Sequence, residues 1–158
     1  MSTELEMQRK QAYIFGGILT LANRMQLLGD KLDEKMTMKQ WLLIAVIMKC
    51  ENPSPTISEV AEMTGNSRQN VKKMALILEK QGFLELAKDP RDARIVRLRL
   101  TPKCLSYFEN RKDQEERFMA SLFEAFDEEV TNGIYHGLNR LVENIARMEN
   151  DHGEEERG

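Results

Sequence analysis

The sequence predicts a mainly α-helical chain with one small β-hairpin. Apolar residues recur every three or four positions in long segments near both ends, the spacing of one face of an amphipathic helix. Between these segments, two capping boxes begin shorter helices, and residues 95–100 alternate apolar and basic side chains as in a half-buried strand. With 158 residues, 41% of them hydrophobic and 31% charged, the chain is long enough to bury a core.

The two outermost helices each carry one apolar stripe. The first helix is predicted over about residues 4–32, with a stripe of Ile14, Ile18, Leu21, Met25, Leu28 and Leu32. The last helix begins near Asp127, with a stripe of Val130, Ile134, Leu138, Leu141, Ile145 and Met148. A further helix is predicted before it, from Pro102 to about Ala125. A lone helix cannot bury such a stripe, so each needs a partner. Residues 150–158 are acidic and expected to be disordered.

The middle of the chain begins with two predicted helices. The capping box at Thr37 opens a helix that is apolar nearly all round through Met48 and should therefore be central and buried. The capping box at Thr56 opens a short helix, and Gly65 is placed to end it.

A third helix and two strands follow. Ser67 can cap a helix over residues 68–81, and strands are predicted at residues 83–88 and 95–100. The connection at residues 89–94 is too long for a tight hairpin turn and should form a protruding loop.

Charge is distributed unevenly, although the formal net charge is only −3. Residues 52–103 contain ten basic and six acidic residues, whereas residues 104–158 contain six basic and fourteen acidic residues. Because the local field decides where phosphate is attracted, the basic segment can bind a polyanion within an acidic chain. A solvated basic face is the alternative interpretation.

Helix, turn, helix, strand, basic loop and strand are the elements of a winged helix-turn-helix that binds B-DNA. In the second of these helices, Gln69 and Asn70 can pair with adenine in the major groove. Arg68 and Lys73 can reach guanine or phosphate. The expected phosphate contacts are Ser67, Lys72, Lys80, Arg97 and Arg99. The loop arginines, Arg91 and Arg94, can enter a narrow minor groove.

The basic loop and its flanks also resemble a known family. Leu78-Glu79-Lys80-Gln81-Gly82-Phe83-Leu84 leads into Asp89-Pro90-Arg91-Asp92-Ala93-Arg94, and Val96, Leu98, Leu100 and Thr101 close the second strand. In these motifs the sequence resembles the MarR (multiple antibiotic resistance regulator) family of winged helix-turn-helix transcriptional regulators. The resemblance implies that Asp89 and Asp92 support the wing and that Arg91 or Arg94 reaches the minor groove.

The resemblance also implies a domain organisation. Residues 37–101 would form the DNA-binding domain, and residues 1–36 and 102–149 would form dimerisation helices. The expected protein is a repressor that binds a pseudopalindromic operator as a homodimer. A small amphipathic or aromatic effector would change its affinity for double-stranded DNA. The candidate pocket residues are Tyr13, Phe15, Met38 and Trp41.

Several other functions are not expected. The sequence contains no nucleophile elbow, phosphate-binding glycine loop or zinc-protease motif, so we expect no catalysis, cofactor or metal. The longest apolar run, eight residues from Trp41 to Met48, is too short to cross a membrane, and we expect a cytoplasmic protein.

Two alternatives to the DNA-binding regulator remain. The winged helix can serve protein contacts without DNA, or Cys50 and Cys104 can sense oxidants, the latter beside Lys103 at a helix start that favours thiolate.

Overall fold

Eight elements follow the predicted order in the computed structural model, which describes residues 2–155. The helices are α1 (Thr3–Leu32), α2 (Met38–Lys49), α3 (Ile57–Thr64), α4 (Arg68–Lys80), α5 (Pro102–Leu122) and α6 (Glu128–Glu155). The strands β1 (Leu84–Lys88) and β2 (Val96–Leu100) form an antiparallel pair. The predicted fold class, mainly helical with one β-hairpin, is confirmed.

Side-chain caps fix where the short helices begin. Both predicted capping boxes are present, with Thr37 and Thr56 as the N-caps of α2 and α3. The Ser67 hydroxyl accepts the backbone N–H of Asn70 at 3.1 Å and caps α4. Gly65 ends α3 with a φ of +70°, a left-handed conformation that glycine adopts at little cost.

The core lies where α2, α3 and α4 pack against the hairpin. Its fully buried large residues include Leu43, Ile44, Val60, Val71, Leu78, Leu84 and Leu98. The buried face of α4 consists of Val71, Ala75 and Leu78, as the helical spacing predicts. Helix α2 buries Gln40, Leu43, Ile44 and Ile47 in this core. The prediction that α2 is buried does not hold for Leu42 and Met48, which are exposed.

The second strand attaches the hairpin to the segment before α3. In the ladder Leu84 pairs with Leu100 and Leu86 with Leu98. The backbone N–H of Leu98 donates to the carbonyl of Pro55 at 2.9 Å, so the segment before α3 lies along the outer edge of β2. This contact places the hairpin beside the helix-turn-helix.

The chain divides into two compact units, the first ending at Glu109 and the second beginning at Asn110. Helix α5 ends at Leu122 rather than near Ala125, because Ala125 has a φ of 63°, which no right-handed helix contains. The Asp127 carboxylate then accepts the N–H of Val130 at 2.9 Å and caps α6. Among residues 2–155, no helix combines the length and apolarity that a membrane crossing requires.

The end of α6 differs from the expectation for residues 150–158. The helix continues to Glu155, so the prediction of a disordered tail is wrong for residues 150–155, and residues 156–158 lie outside the described part of the chain. The physical reason is that an established helix adds polar residues at its end at little cost, since nucleation and not propagation is the unfavourable step.

Replacing Leu78 with alanine tests the packing of α4. Because the side chain is fully buried, Leu78→Ala should lower the free energy of unfolding by about 2–5 kcal/mol. The control is Leu76→Ala in the same helix, an exposed site where we expect a change of about 0.5 kcal/mol or less. Urea unfolding at one fixed chain concentration measures both. Equal losses in the two variants would contradict this packing.

Candidate nucleic-acid interface

The face of α4 opposite its buried residues is polar, basic and exposed. Its residues include Gln69, Asn70, Lys72, Lys73 and Lys80, all of them exposed, and Arg68 is exposed in the first turn of the helix. The Ser67 cap fixes the start of this face by holding the first turn of α4. No part of the described chain covers it, so the face can approach a polyanion.

The loop between β1 and β2, residues 89–95, is organised by Asp89. Its carboxylate accepts the backbone N–H of Arg91 at 2.7 Å, the N–H of Asp92 at 3.2 Å and Nε of Arg97 at 2.5 Å. The Arg97 hydrogen bond and then the Arg91 amide hold the pKa of Asp89 below its ordinary value. Asp89 therefore stays ionised and closes the base of the loop.

Arg94 lies near the exposed tip of this loop and pairs with Asp92. Its Nε and one terminal nitrogen donate to the two Asp92 oxygens at 3.1 and 3.0 Å, a bidentate pair. The Arg94 hydrogen bonds lower the pKa of Asp92, and the pairing raises the pKa of Arg94. The Arg94 side chain remains 90% exposed, and Arg91 is exposed as well. Both loop arginines are thus accessible.

Arg97 differs from the other predicted phosphate contacts. Besides its ion pair with Asp89, its guanidinium donates to the backbone carbonyl of Ser54 at 2.9 Å, and the side chain is largely covered. Arg97 therefore ties the hairpin to the segment before α3. Arg99, its neighbour on the same strand, is exposed opposite Glu85 and stays a predicted phosphate contact.

Sequence reasoning missed two positioning groups. The Glu79 carboxylate accepts the backbone N–H of Leu86 at 2.9 Å and so joins the end of α4 to β1. The Ser54 carbonyl is the second, through its bond from Arg97. The sequence around Glu79 gives no indication of its bond to Leu86, because an exposed acidic residue in a helix has no marked preference for the backbone amide of a particular strand residue. Every residue has a backbone carbonyl, so the sequence does not mark the carbonyl of Ser54 as a contact either.

The four candidate pocket residues do not meet within the chain. Met38 packs against Gly29, where an added Cβ would lie 2.0 Å from the Met38 side chain. Tyr13 lies sixteen residues earlier in the same continuous helix, roughly 24 Å along its axis. Tyr13 and Phe15 are 82% and 70% exposed, whereas Trp41 packs against the core. Since α1 does not fold back on itself, these residues line no common cavity within one chain, and a pocket that includes all four stays a prediction.

The two cysteines are poorly suited to thiolate chemistry. Burial raises the pKa of the fully buried Cys104 to about 11, which outweighs the predicted effect of the helix start. Partial burial and then the negative charge of Glu59 raise the pKa of Cys50. The Cys50 thiol donates to the Val46 carbonyl at 3.2 Å. Both groups are therefore neutral thiols at neutral pH.

No protein-family profile matches this chain, and no curated protein matches it. Solved structures do match. A MarR/EmrR family transcriptional regulator from Acinetobacter sp. ADP1 superposes with a TM-score of 0.76 at 18% identity, covering 87% of this chain and 97% of its own. The chain has the fold of the MarR-family transcriptional regulators.

Two further structures with the MarR fold were solved in complexes. MepR of S. aureus, bound to DNA, matches with a TM-score of 0.72 at 16% identity, over 85% of this chain and 97% of its own. PcaV of Streptomyces coelicolor, bound to its natural ligand, matches with a TM-score of 0.68 at 22% identity, over 82% and 90% of the two chains. In terms of the MarR fold, α3 and α4 form the helix-turn-helix and β1–β2 form the wing.

Removing the Asp89 carboxylate tests the organisation of the wing. Asp89→Ala takes away the acceptor of three hydrogen bonds, so amide hydrogen exchange at residues 91–95 should become faster. The protection from exchange that Asp89 gives the wild-type loop should be complete above the ordinary pKa of 3.8 and should be lost as pH falls from that value through the lowered folded pKa. In the control, Asp92→Ala, the change should centre on Arg94. Unchanged exchange in Asp89→Ala would contradict this role.

Thiol titration tests the cysteine environments. At pH 8 the native chain should show one slowly reacting thiol, Cys50, while Cys104 reacts only after unfolding. Cys50→Ser should remove the native reaction, and Cys104→Ser should leave it unchanged. Rapid labelling of native Cys104 would show that its thiol is accessible and would contradict the burial described above.

Proposed function

We propose that this protein is a DNA-binding transcriptional regulator of the MarR family that acts as a homodimer and represses by occupying a pseudopalindromic operator. The observation that carries the proposal is the two-sided character of α4. One face is buried by Val71, Ala75 and Leu78, which leaves the opposite, basic face uncovered. A helix held in this way is the part of a winged helix-turn-helix that enters the major groove of DNA.

Each exposed group has chemistry suited to a distinct part of DNA. The amides of Gln69 and Asn70 match the donor and acceptor pair on the major-groove edge of adenine. Arg68 and Lys73 can reach guanine or phosphate, and Ser67, Lys72, Lys80 and Arg99 suit phosphate oxygens. At the wing, the exposed guanidiniums of Arg91 and Arg94 suit the negative potential of a narrow minor groove.

The apolar stripes of α1 and α6 support a homodimer. All twelve stripe residues are at least 37% exposed. A second copy would cover them, and a two-fold axis gives the same contact to both chains. In such a dimer two α4 helices would meet half-sites about 34–36 Å apart on one face of DNA.

A small amphipathic or aromatic effector completes the proposal. PcaV, which shares this fold, was solved with its natural ligand. In this chain Met38 and Trp41 remain candidates at the junction of α1 and α2, and Tyr13 and Phe15 could reach a ligand only from elsewhere in a dimer. The ligand would lower DNA affinity by binding better to a dimer whose α4 helices are wrongly spaced.

The two alternatives are weaker. A winged helix used only for protein contacts does not require basic and amide side chains together on the outer face of α4. Oxidant sensing requires a reactive thiolate, and burial raises the pKa of both Cys50 and Cys104.

Binding to a mixed-sequence duplex across a salt series tests the proposed function. Each phosphate neutralised by a lysine contributes roughly −0.9 to the slope of log affinity against log salt. We expect a steep negative slope that becomes shallower by about one unit in Lys73→Ala and in Lys80→Ala.

The control for this experiment is Lys10→Ala, which changes the net charge equally but lies on α1, paired with Glu6. Its slope should equal that of the wild type. A slope near zero for the wild type, or equal effects in all three variants, would favour the protein-contact alternative.

A further inference from the structure

Two large apolar side chains lie among the polar groups of α4's outer face. Leu76 is 48% exposed and Ile77 is 43% exposed. Single exposed leucines are ordinary on protein surfaces, so exposure alone indicates nothing. Their position is informative, because both lie between Lys73 and Lys80 in the sequence and on the half of the helix that does not contact the core.

Helical geometry relates these residues to the two amide side chains. Gln69 and Leu76 are seven residues apart, so they lie within about 20° of each other around the axis and about 10.5 Å apart along it. Asn70 and Ile77 have the same relation. The outer face of α4 therefore carries two parallel columns, each with an amide near the start of the helix and an apolar side chain two turns later.

The charge around these side chains indicates what could cover them. Lys72, Lys73 and Lys80 are exposed in the same helix, so a partner on this face should be anionic as well as partly apolar. The major groove of DNA is both anionic and partly apolar, because its walls carry phosphates and each thymine presents a C5-methyl group to the groove. A protein partner would need matching acidic and apolar groups on one surface.

We propose that Leu76 and Ile77 determine specificity by contacting thymine C5-methyl groups in the same major groove that Gln69 and Asn70 enter. This inference rests on the proposed DNA-binding function. A distance of about 10.5 Å along α4 corresponds to about three base pairs of duplex, at about 3.4 Å per base pair. The preferred half-site should therefore contain a thymine about that far from the adenine contacted by Gln69 or Asn70.

Replacing thymine with deoxyuracil tests the contact, because it removes only the C5-methyl group. The full-length chain first selects its preferred duplex from a randomised pool, and each thymine of one half-site is then replaced singly. One buried methyl contributes about 0.8 kcal/mol, which is about a fourfold change in affinity. We expect about a fourfold loss at one or two thymines with the wild type and no loss there with Leu76→Ala or Ile77→Ala.

Three controls separate the possible outcomes. Leu42→Ala removes a similar side chain, 43% exposed on α2, and should keep the full response to deoxyuracil. Circular dichroism should show unchanged helicity, since alanine is the better helix former at positions 76 and 77. Comparing the preferred bases of the wild type and of Gln69→Ala identifies the adenine that Gln69 contacts. The spacing to the thymine is measured from that adenine.

A selected site whose affinity is unchanged by every deoxyuracil replacement would overturn this inference while leaving the proposed function intact. The same conclusion would follow if the loss persisted undiminished in both Leu76→Ala and Ile77→Ala. Failure to select any duplex would overturn the proposed function and this inference with it.

Discussion

The burial of one face of α4 is the constraint on which the rest of the structure depends. Val71, Ala75 and Leu78 pack into the core formed with α2, α3 and the hairpin. Because a helix has a fixed angular period, burying these three side chains directs Gln69 and Lys73 away from the core. The basic face is therefore exposed because the opposite, apolar face is buried. Its exposure does not depend on interactions of the basic side chains themselves.

The wing depends on electrostatics more than on apolar packing. Its loop has few buried side chains, and its shape comes from Asp89, which gathers two backbone amides and the Arg97 guanidinium. Arg97 then bonds the Ser54 carbonyl, and Glu79 bonds the Leu86 amide. These contacts join the wing to α4 and to the segment before α3. A basic loop becomes a positioned element because its acidic residues hold it in place.

The two compact units differ in how far they bury their apolar residues. In the first unit, α2 to α4 and the hairpin share one core, whereas every stripe residue of α6 in the second unit is exposed. Exposed apolar surface of this extent lowers solubility unless another chain covers it. Helix α6 thus carries the apolar residues that a second copy would cover. In the proposed dimer, the stability of each chain is therefore linked to assembly.

The sequence by itself determined the elements, since caps and apolar periodicity are local. Thr37, Thr56 and Ser67 begin their helices where predicted, and the alternation around Leu98 locates β2. The resemblance to MarR regulators was also confirmed at the level of fold. The roles of Arg97 and Glu79, the separation of Tyr13 from Met38 and the neutral thiol of Cys104 were decided only by the tertiary structure. Each of these depends on which distant group lies within a few ångströms, and neither residue type nor spacing encodes that distance.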